Sequence, residues 1–215
     1  MSQKPRVAGP VPDAPAALRD EFARLPTGKV AAVITHLQMY ARPEPRPVPA
    51  GESYELRRAH RPDLAWYRDL YRLVGEQWLW FSRLALDDAA LAGLIHDPRV
   101  EVHALRHRGA DAGILELDLR RQPEIEISFL GVVPPLIGSG AGRFLMNRAL
   151  EAAWSRNPRR VTVHTCTLDH PHALAFYLRS GFQPYARSLE IADDPRTFGL
   201  LPRSAAPHVP ILEEK

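Results

Sequence analysis

Along the chain the spacing of apolar positions switches between the period of a strand and that of a helix, and the switches mark out the elements. Leu18, Phe22 and Leu25, behind Asp13 as a cap and Pro15 in the first turn, predict a short amphipathic helix over 13–25. KVAAVITHLQMY (29–40) is β-branched and alternating, which predicts a strand, and YELRRA (54–59) predicts another. In 62–75, Leu64, Tyr67, Tyr71 and Val74 share a helical face that stops at Gly75. A second helix, DDAALAGLI, starts on an Asp cap and ends before Pro98. VEVHALRH and AGILELDL predict two strands around the turn Arg108-Gly109-Ala110-Asp111, and EIEISFLGVV predicts a third. GAGRFLMNRALEAAWSR has the period of a long amphipathic helix, VTVHTCTL that of a strand, HPHALAFYLRSG that of a helix, and FQPYARSLEIA that of a final extended pair.

From Tyr54 the order is β-α-α-β-β-β-α-β-α-β, a mixed α/β pattern without the repeated βαβ of a doubly wound sheet. Ahead of it, RPEPRPVP carries a proline at every second position from Pro43 to Pro49, which forbids ladder bonding and favours an extended linker. The expected organisation is an N-terminal extension over 1–51, a main domain over 52–195 and a C-terminal tail over 196–215. The strand of the extension would add to a sheet edge or to a partner chain, which makes a homodimer plausible.

Bulk properties narrow the class. A chain of 215 residues, 45% hydrophobic, can bury one sizeable core. The single cysteine, Cys166, rules out an internal disulfide. No stretch approaches the ~20 apolar residues of a membrane span, and the first residues lack an apolar signal core, so a soluble cytoplasmic protein without membrane contact is expected. The net charge is +3, with arginines scattered in pairs instead of one run interleaved with aromatics. That pattern argues against a nucleic-acid partner.

The chemistry concentrates in GVVPPLIGSGAGRFL (131–145). A phosphate-binding P-loop needs a Lys and a Ser or Thr after its last glycine, whereas Arg143 and Phe144 stand here. The dinucleotide fingerprint needs G-x-G-x-x-G, and this loop has G-x-G-x-G. What remains is a strand, a kink at Pro134 and Pro135, a glycine loop and a helix N-terminus carrying Arg143. Together these make a seat for a pyrophosphate, or else a glycine-softened turn.

The run LGVVP through IGSGAGRFLMNRAL, followed by a strand and ALAFYLRSGF, resembles the GNAT superfamily of N-acetyltransferases. It is similar to an uncharacterised branch bearing HTCTLDHP before the last helix. The resemblance implies a mostly antiparallel sheet splayed at a bulge and flanked by helices, with acetyl-CoA as cosubstrate. It implies that Leu130, Gly131 and Val132 meet the pantetheine arm, and that Gly138, Ser139, Gly140, Ala141, Gly142 and Arg143 hold the pyrophosphate. His170 stands where the family usually has an Asn that contacts CoA, so it either binds the cosubstrate or only caps the helix. Ile137 stands where the family usually has Gln or Arg, which removes side-chain help but leaves the backbone amides.

Acetyl transfer to an amine needs a proton acceptor, an oxyanion donor and a proton for the departing thiolate. Strict alternation in EIEISFLGV would put Ile125, Ile127 and Phe129 on one face and Glu124, Glu126 and Ser128 on the other. Glu126, just before the bulge that the resemblance implies, is the favoured general base, with a plain strand carboxylate as the alternative. Glu124, Glu116 and Asp118 are weaker candidates. A backbone N–H near Val132 would meet the oxyanion. Tyr177 matches the family tyrosine that commonly protonates the thiolate, or else packs with Leu174, Phe176 and Leu178. HTCTLDHPH invites a zinc site from His164, Cys166, Asp169, His170 and His172, but its spacing fits none of the usual patterns, and no metal is expected. Trp78, Trp80 and Phe81 either line the acceptor pocket or cover the core. The expected activity is acetylation of a small-molecule or peptide amine in a ternary complex, with a non-catalytic acyl-CoA-binding module as the rival.

Overall fold

The computed structural model describes residues 24–213, and the predicted helix over 13–25 lies almost wholly outside them. Seven strands form one sheet: β1 (Lys29–Met39), β2 (Tyr54–Ala59), β3 (Val100–His107), β4 (Ala110–Asp118), β5 (Glu124–Val132), β6 (Arg160–Cys166) and β7 (Gln183–Asp193). Four helices accompany them: α1 (Leu64–Gly75), α2 (Asp88–Ile95), α3 (Ala141–Trp154) and α4 (Ala173–Arg179). The strand order is β2-β3-β4-β5-β6-β1-β7, antiparallel throughout except for β5 beside β6.

Each α-helix at the front of the domain starts where the sequence supplies a cap. Asp63 accepts from the Trp66 amide at 2.9 Å and Asp87 from the Ala90 amide at 2.8 Å. The buried stripe of α1, Tyr67, Leu70, Tyr71 and Val74, packs with α2 and with Val100, Val102, Ala104 and Ile114 on one face of the sheet. On the other face α3 and α4 bury Leu145, Met146, Ala149 and Tyr177 against Ile125, Ile127, Val161, Val163 and Leu37. Each such large apolar side chain contributes about 1.5–3 kcal/mol on burial.

Several features differ from what the sequence predicts. The strand of the N-terminal segment lies inside the sheet, between β6 and β7, with His36 opposite both His164 and Ala186. Its alternating apolar residues Leu37 and Met39 fill the α3/α4 core, which an edge position would not demand. The proline-rich run then crosses the N-terminal half of α3: Asn147 donates to the Arg46 carbonyl at 2.8 Å and accepts from the Arg46 amide at 3.2 Å. FQPYARSLEIA makes one long strand and not a pair, and α4 begins at Ala173 behind His172, two residues later than the proline pattern suggested. Residues after Asp193 fold back: Arg196 is paired with Asp194 and donates to the carbonyls of Ala205, Ala206 and Val209. Leu201, Ala205 and Ala206 are thereby buried in the α1/α2 core.

At the centre the bulge that the family resemblance implies changes the faces that strict alternation predicts. Glu116 pairs with Phe129 and Leu117 with Ile127, so Ser128 is an extra residue, a bulge in β5. A one-residue insertion exchanges the faces of everything after it. Phe129 therefore does not follow Ile125 and Ile127, but joins the side of Glu126 and packs on Tyr71, Trp80 and Arg83.

Candidate active site

Beyond the bulge the sheet opens. The parallel ladder between β5 and β6 stops at Ile127 opposite Val163, although both strands continue. A cleft of about 360 Å³ occupies the opening, walled by Leu130, Gly131 and Val132 on one side and by α4 with the loop before it on the other. A Cβ on Gly131 would stand 2.6 Å from Val74 and 3.0 Å from Trp80, so only glycine lets the strand lie this close to α1.

The glycine loop closes one end. Gly138, Gly140, Gly142 and Arg143 line the cleft, and Gly140, at φ +100°, caps α3 in a conformation that side chains rarely adopt. A Cβ there would also meet Pro49 at 2.6 Å. Ser139 and Ala141 are not on the cleft wall: the Ser139 hydroxyl donates to the Leu136 carbonyl and accepts from the Tyr54 hydroxyl at 3.0 Å, and Ala141 is fully buried. Their part is to brace the loop. The first-turn amides of α3 have no intrahelical acceptors and point toward the positive end of the helix dipole. Loop amides, Arg143 and an open strand edge suit an extended ligand with a phosphate at one end.

Tyr177 lines the cleft and is buried, and burial followed by the charge of Asp169 pushes its phenol above the ordinary range. Asp169 accepts from Thr165 and the Cys166 amide through one oxygen and from the Trp80 indole at 3.1 Å through the other, which fixes the loop before α4. His170 is on the wall, and its Nδ1 accepts from the His172 amide at 3.1 Å in the turn before α4. Trp78 and Trp80 line the cleft as well, while Phe81 packs into the α1/α2 core. Burial raises the Cys166 thiol to about 11, which makes it a poor nucleophile and metal ligand at neutral pH.

Glu126 lies off the cleft wall, on the opposite face from α3 and α4, two residues before the bulge and one before the last β5/β6 pair. It meets His164 Nδ1 at 3.3 Å. Burial alone would raise the Glu126 carboxyl, but the hydrogen bond and charge of His164 hold it below its ordinary value. In turn burial would lower His164, and the bond and charge of Glu126 raise it instead. The two form an ion pair when His164 carries its proton. The other strand carboxylates are committed elsewhere: Glu116 to Arg83 and Tyr67, Asp118 to Arg120, Glu124 to Arg160. Two cleft residues escaped the linear reading, Arg46 from the proline run and Arg179 from α4. The one signal in the sequence is that Arg46 sits between alternating prolines, where a flexible linker has no need of a cation.

Residues 38–182 match the model of the acetyltransferase (GNAT) family. A comparison with functionally curated proteins finds no match. The fold is similar to that of a GCN5-related N-acetyltransferase from Sphaerobacter thermophilus, with a TM-score of 0.56 and 18% identity over 76% of this chain and 52% of that one. A tandem GNAT protein from the clavulanic acid biosynthesis pathway matches with a TM-score of 0.53 and 19% identity, over 86% of this chain and 61% of that one. A GCN5-related N-acetyltransferase from Kribbella flavida gives a TM-score of 0.52 and 15% identity, over 78% and 60%. The chain thus spans between 52% and 61% of the lengths of these three proteins.

Proposed function

The chain belongs to the acetyltransferase (GNAT) family, and from that premise we propose that it transfers the acetyl group of acetyl-CoA to an amine, small-molecule or peptide, by direct attack in a ternary complex. The observation that carries the proposal is the opening between β5 and β6, with the phosphate-suited loop at one end and Tyr177 on its wall, and the Glu126–His164 pair beside the last β5/β6 pairing, where the strands part. Acetyl-CoA supplies a thioester carbon open to attack by an unprotonated amine. The residues fitted to hold it are Leu130 to Val132 along the arm and the loop amides with Arg143 at the phosphates.

Glu126 and His164 work as one proton acceptor. A carboxylate held low by a protonated imidazole is a weak base, and loss of the imidazole proton makes the pair a stronger one. The amine therefore gives up its proton most readily above the raised His164 pKa. Tyr177 keeps its own proton across the physiological range and donates it to the departing sulfur. Trp78 and Trp80 exclude water from the cleft and give the acceptor an apolar wall.

Calorimetric titration with acetyl-CoA, followed by CoA-thiol release against a panel of amines, tests this. Saturable binding with amine-dependent release is the expected result. Binding without release for any amine points to a non-catalytic acyl-CoA-binding module, and absence of binding removes the proposal.

A further inference from the structure

Most arginines of this chain are neutralised. Arg57, Arg83, Arg120, Arg156, Arg160 and Arg196 each meet a carboxylate within ion-pair distance. Arg46, Arg143 and Arg179 are different: they converge on the same cleft, and among the described residues none has a carboxylate partner. Their positive charges press on one another, since after burial the strongest influences on the Arg46 guanidinium are those of Arg143 and Arg179, both lowering it. Like charges gathered without counter-charge cost free energy in the empty protein and favour a polyanion in the filled one.

The loop amides and Arg143 are sufficient for one pyrophosphate. Two guanidinium groups remain, and neither belongs to the glycine loop. One is on the last residue of α4, and the other is delivered by the proline run. That run is not a passive tether. Both main-chain polar groups of Arg46 are bonded to Asn147, the Pro47 carbonyl accepts from Arg143 Nη1 at 2.6 Å, and Pro49 sits against Gly140. Alternating prolines stiffen the segment and leave its side chains on a preset path, so Arg46 is placed at little entropic cost.

We propose that Arg46, with Arg179, forms a second anion site in the cleft that reads a third phosphate on the acyl donor, the 3′-phosphate of the coenzyme. The proline run is a selectivity strap for the donor. This rests on the acetyl-CoA reading of the cleft, and it adds that a thioester lacking the 3′-phosphate is discriminated against in binding.

The test is calorimetric titration of the wild-type protein with acetyl-CoA and with acetyl-3′-dephospho-CoA, then of Arg46→Gln and Arg179→Gln with both. The glutamine variant at 46 leaves the main-chain bonds to Asn147 in place. The expected result is about 10-fold tighter wild-type binding of acetyl-CoA than of the dephospho donor. Each variant should lose most of that preference by weakening acetyl-CoA alone, leaving the dephospho donor within about twofold. Equal wild-type affinity for the two donors overturns the strap proposal without touching the transferase reading, and needs no variant to fold. An equal loss on both donors in Arg46→Gln also overturns it, because the residue then serves the pyrophosphate. Wild-type protein that binds neither donor overturns both proposals together.

Discussion

Glu116 on β4 and Glu126 on β5 occupy the same face of adjacent strands, one on each side of the bulge, yet their surroundings set them apart. Glu116 is 1% exposed and held by Arg83 at 2.6 Å and by the Tyr67 hydroxyl, with Arg83 lying over the Phe129 ring at 4.7 Å. Glu126 is 25% exposed and faces an imidazole. A guanidinium cannot release its proton near neutrality, so the contact of Arg83 with Glu116 is a fixed brace that pins the bulge against α1. An imidazole can, so the charge on the Glu126 pair changes with pH. What separates a brace from a candidate base is the titratability of the partner and access to solvent.

The comparison can be broken most sharply at Glu116. Glu116→Ala leaves Arg83 buried without its anion and should lower stability by about 3–5 kcal/mol, read by urea denaturation. A loss under 1 kcal/mol would mean that the bulge is held by packing alone. Glu126→Gln should do the reverse, lowering kcat/KM for the amine by about 10³-fold while the urea midpoint hardly moves. Comparable stability losses for the two substitutions would erase the distinction drawn here. Tyr177→Phe should reduce kcat by about 10²-fold with the acetyl-CoA Kd unchanged, as expected of a group needed only when the thiolate leaves. Full activity under conditions where chemistry limits the rate removes Tyr177 from the proton path.

The smallest effect is the most diagnostic for the pair. The folded His164 pKa is raised above its reference of 6.5, so its stabilising contribution is complete below 6.5 and fades as pH climbs through the folded value. Glu126 is lowered below 4.5, so its share is present above 4.5 and is lost as pH falls through the folded value. The pair adds about 1 kcal/mol or less after solvent screening, concentrated between these limits. Activity should move the other way on the alkaline side, rising with pH as His164 loses its proton. In His164→Gln the alkaline limb of both the stability and the rate profile should flatten; an unchanged rate profile would assign the titration to another group.

Much of the cleft was legible. The glycine loop and the kink after β5 are local signals, because turn chemistry and helix entry act over a few residues, while Tyr177 was singled out by the family resemblance. The resemblance implied a bulge after Glu126, but its place at Ser128 was not legible: the apolar spacing of EIEISFLGVV is compatible with unbroken alternation, and only pairing with β4 reveals the extra residue. The interior place of β1 was hidden for a related reason. Its neighbours β6 and β7 are more than 100 residues away in sequence, as His36 opposite His164 shows, and no local pattern specifies a partner at that distance. The strap escaped because alternating prolines describe the stiffness of a segment and say nothing about what it leans on.

By itself the sequence determined most of the strands and helices, where glycines leave the backbone amides open to close approach, and which side chains carry titratable groups. Each of these depends on near neighbours along the chain. Only the tertiary structure decided which carboxylate is neutralised, which arginines stay unpaired, and which face Phe129 takes. Those outcomes depend on distances and burial between residues far apart in sequence. Charge pairing and desolvation exist only once the sheet is assembled.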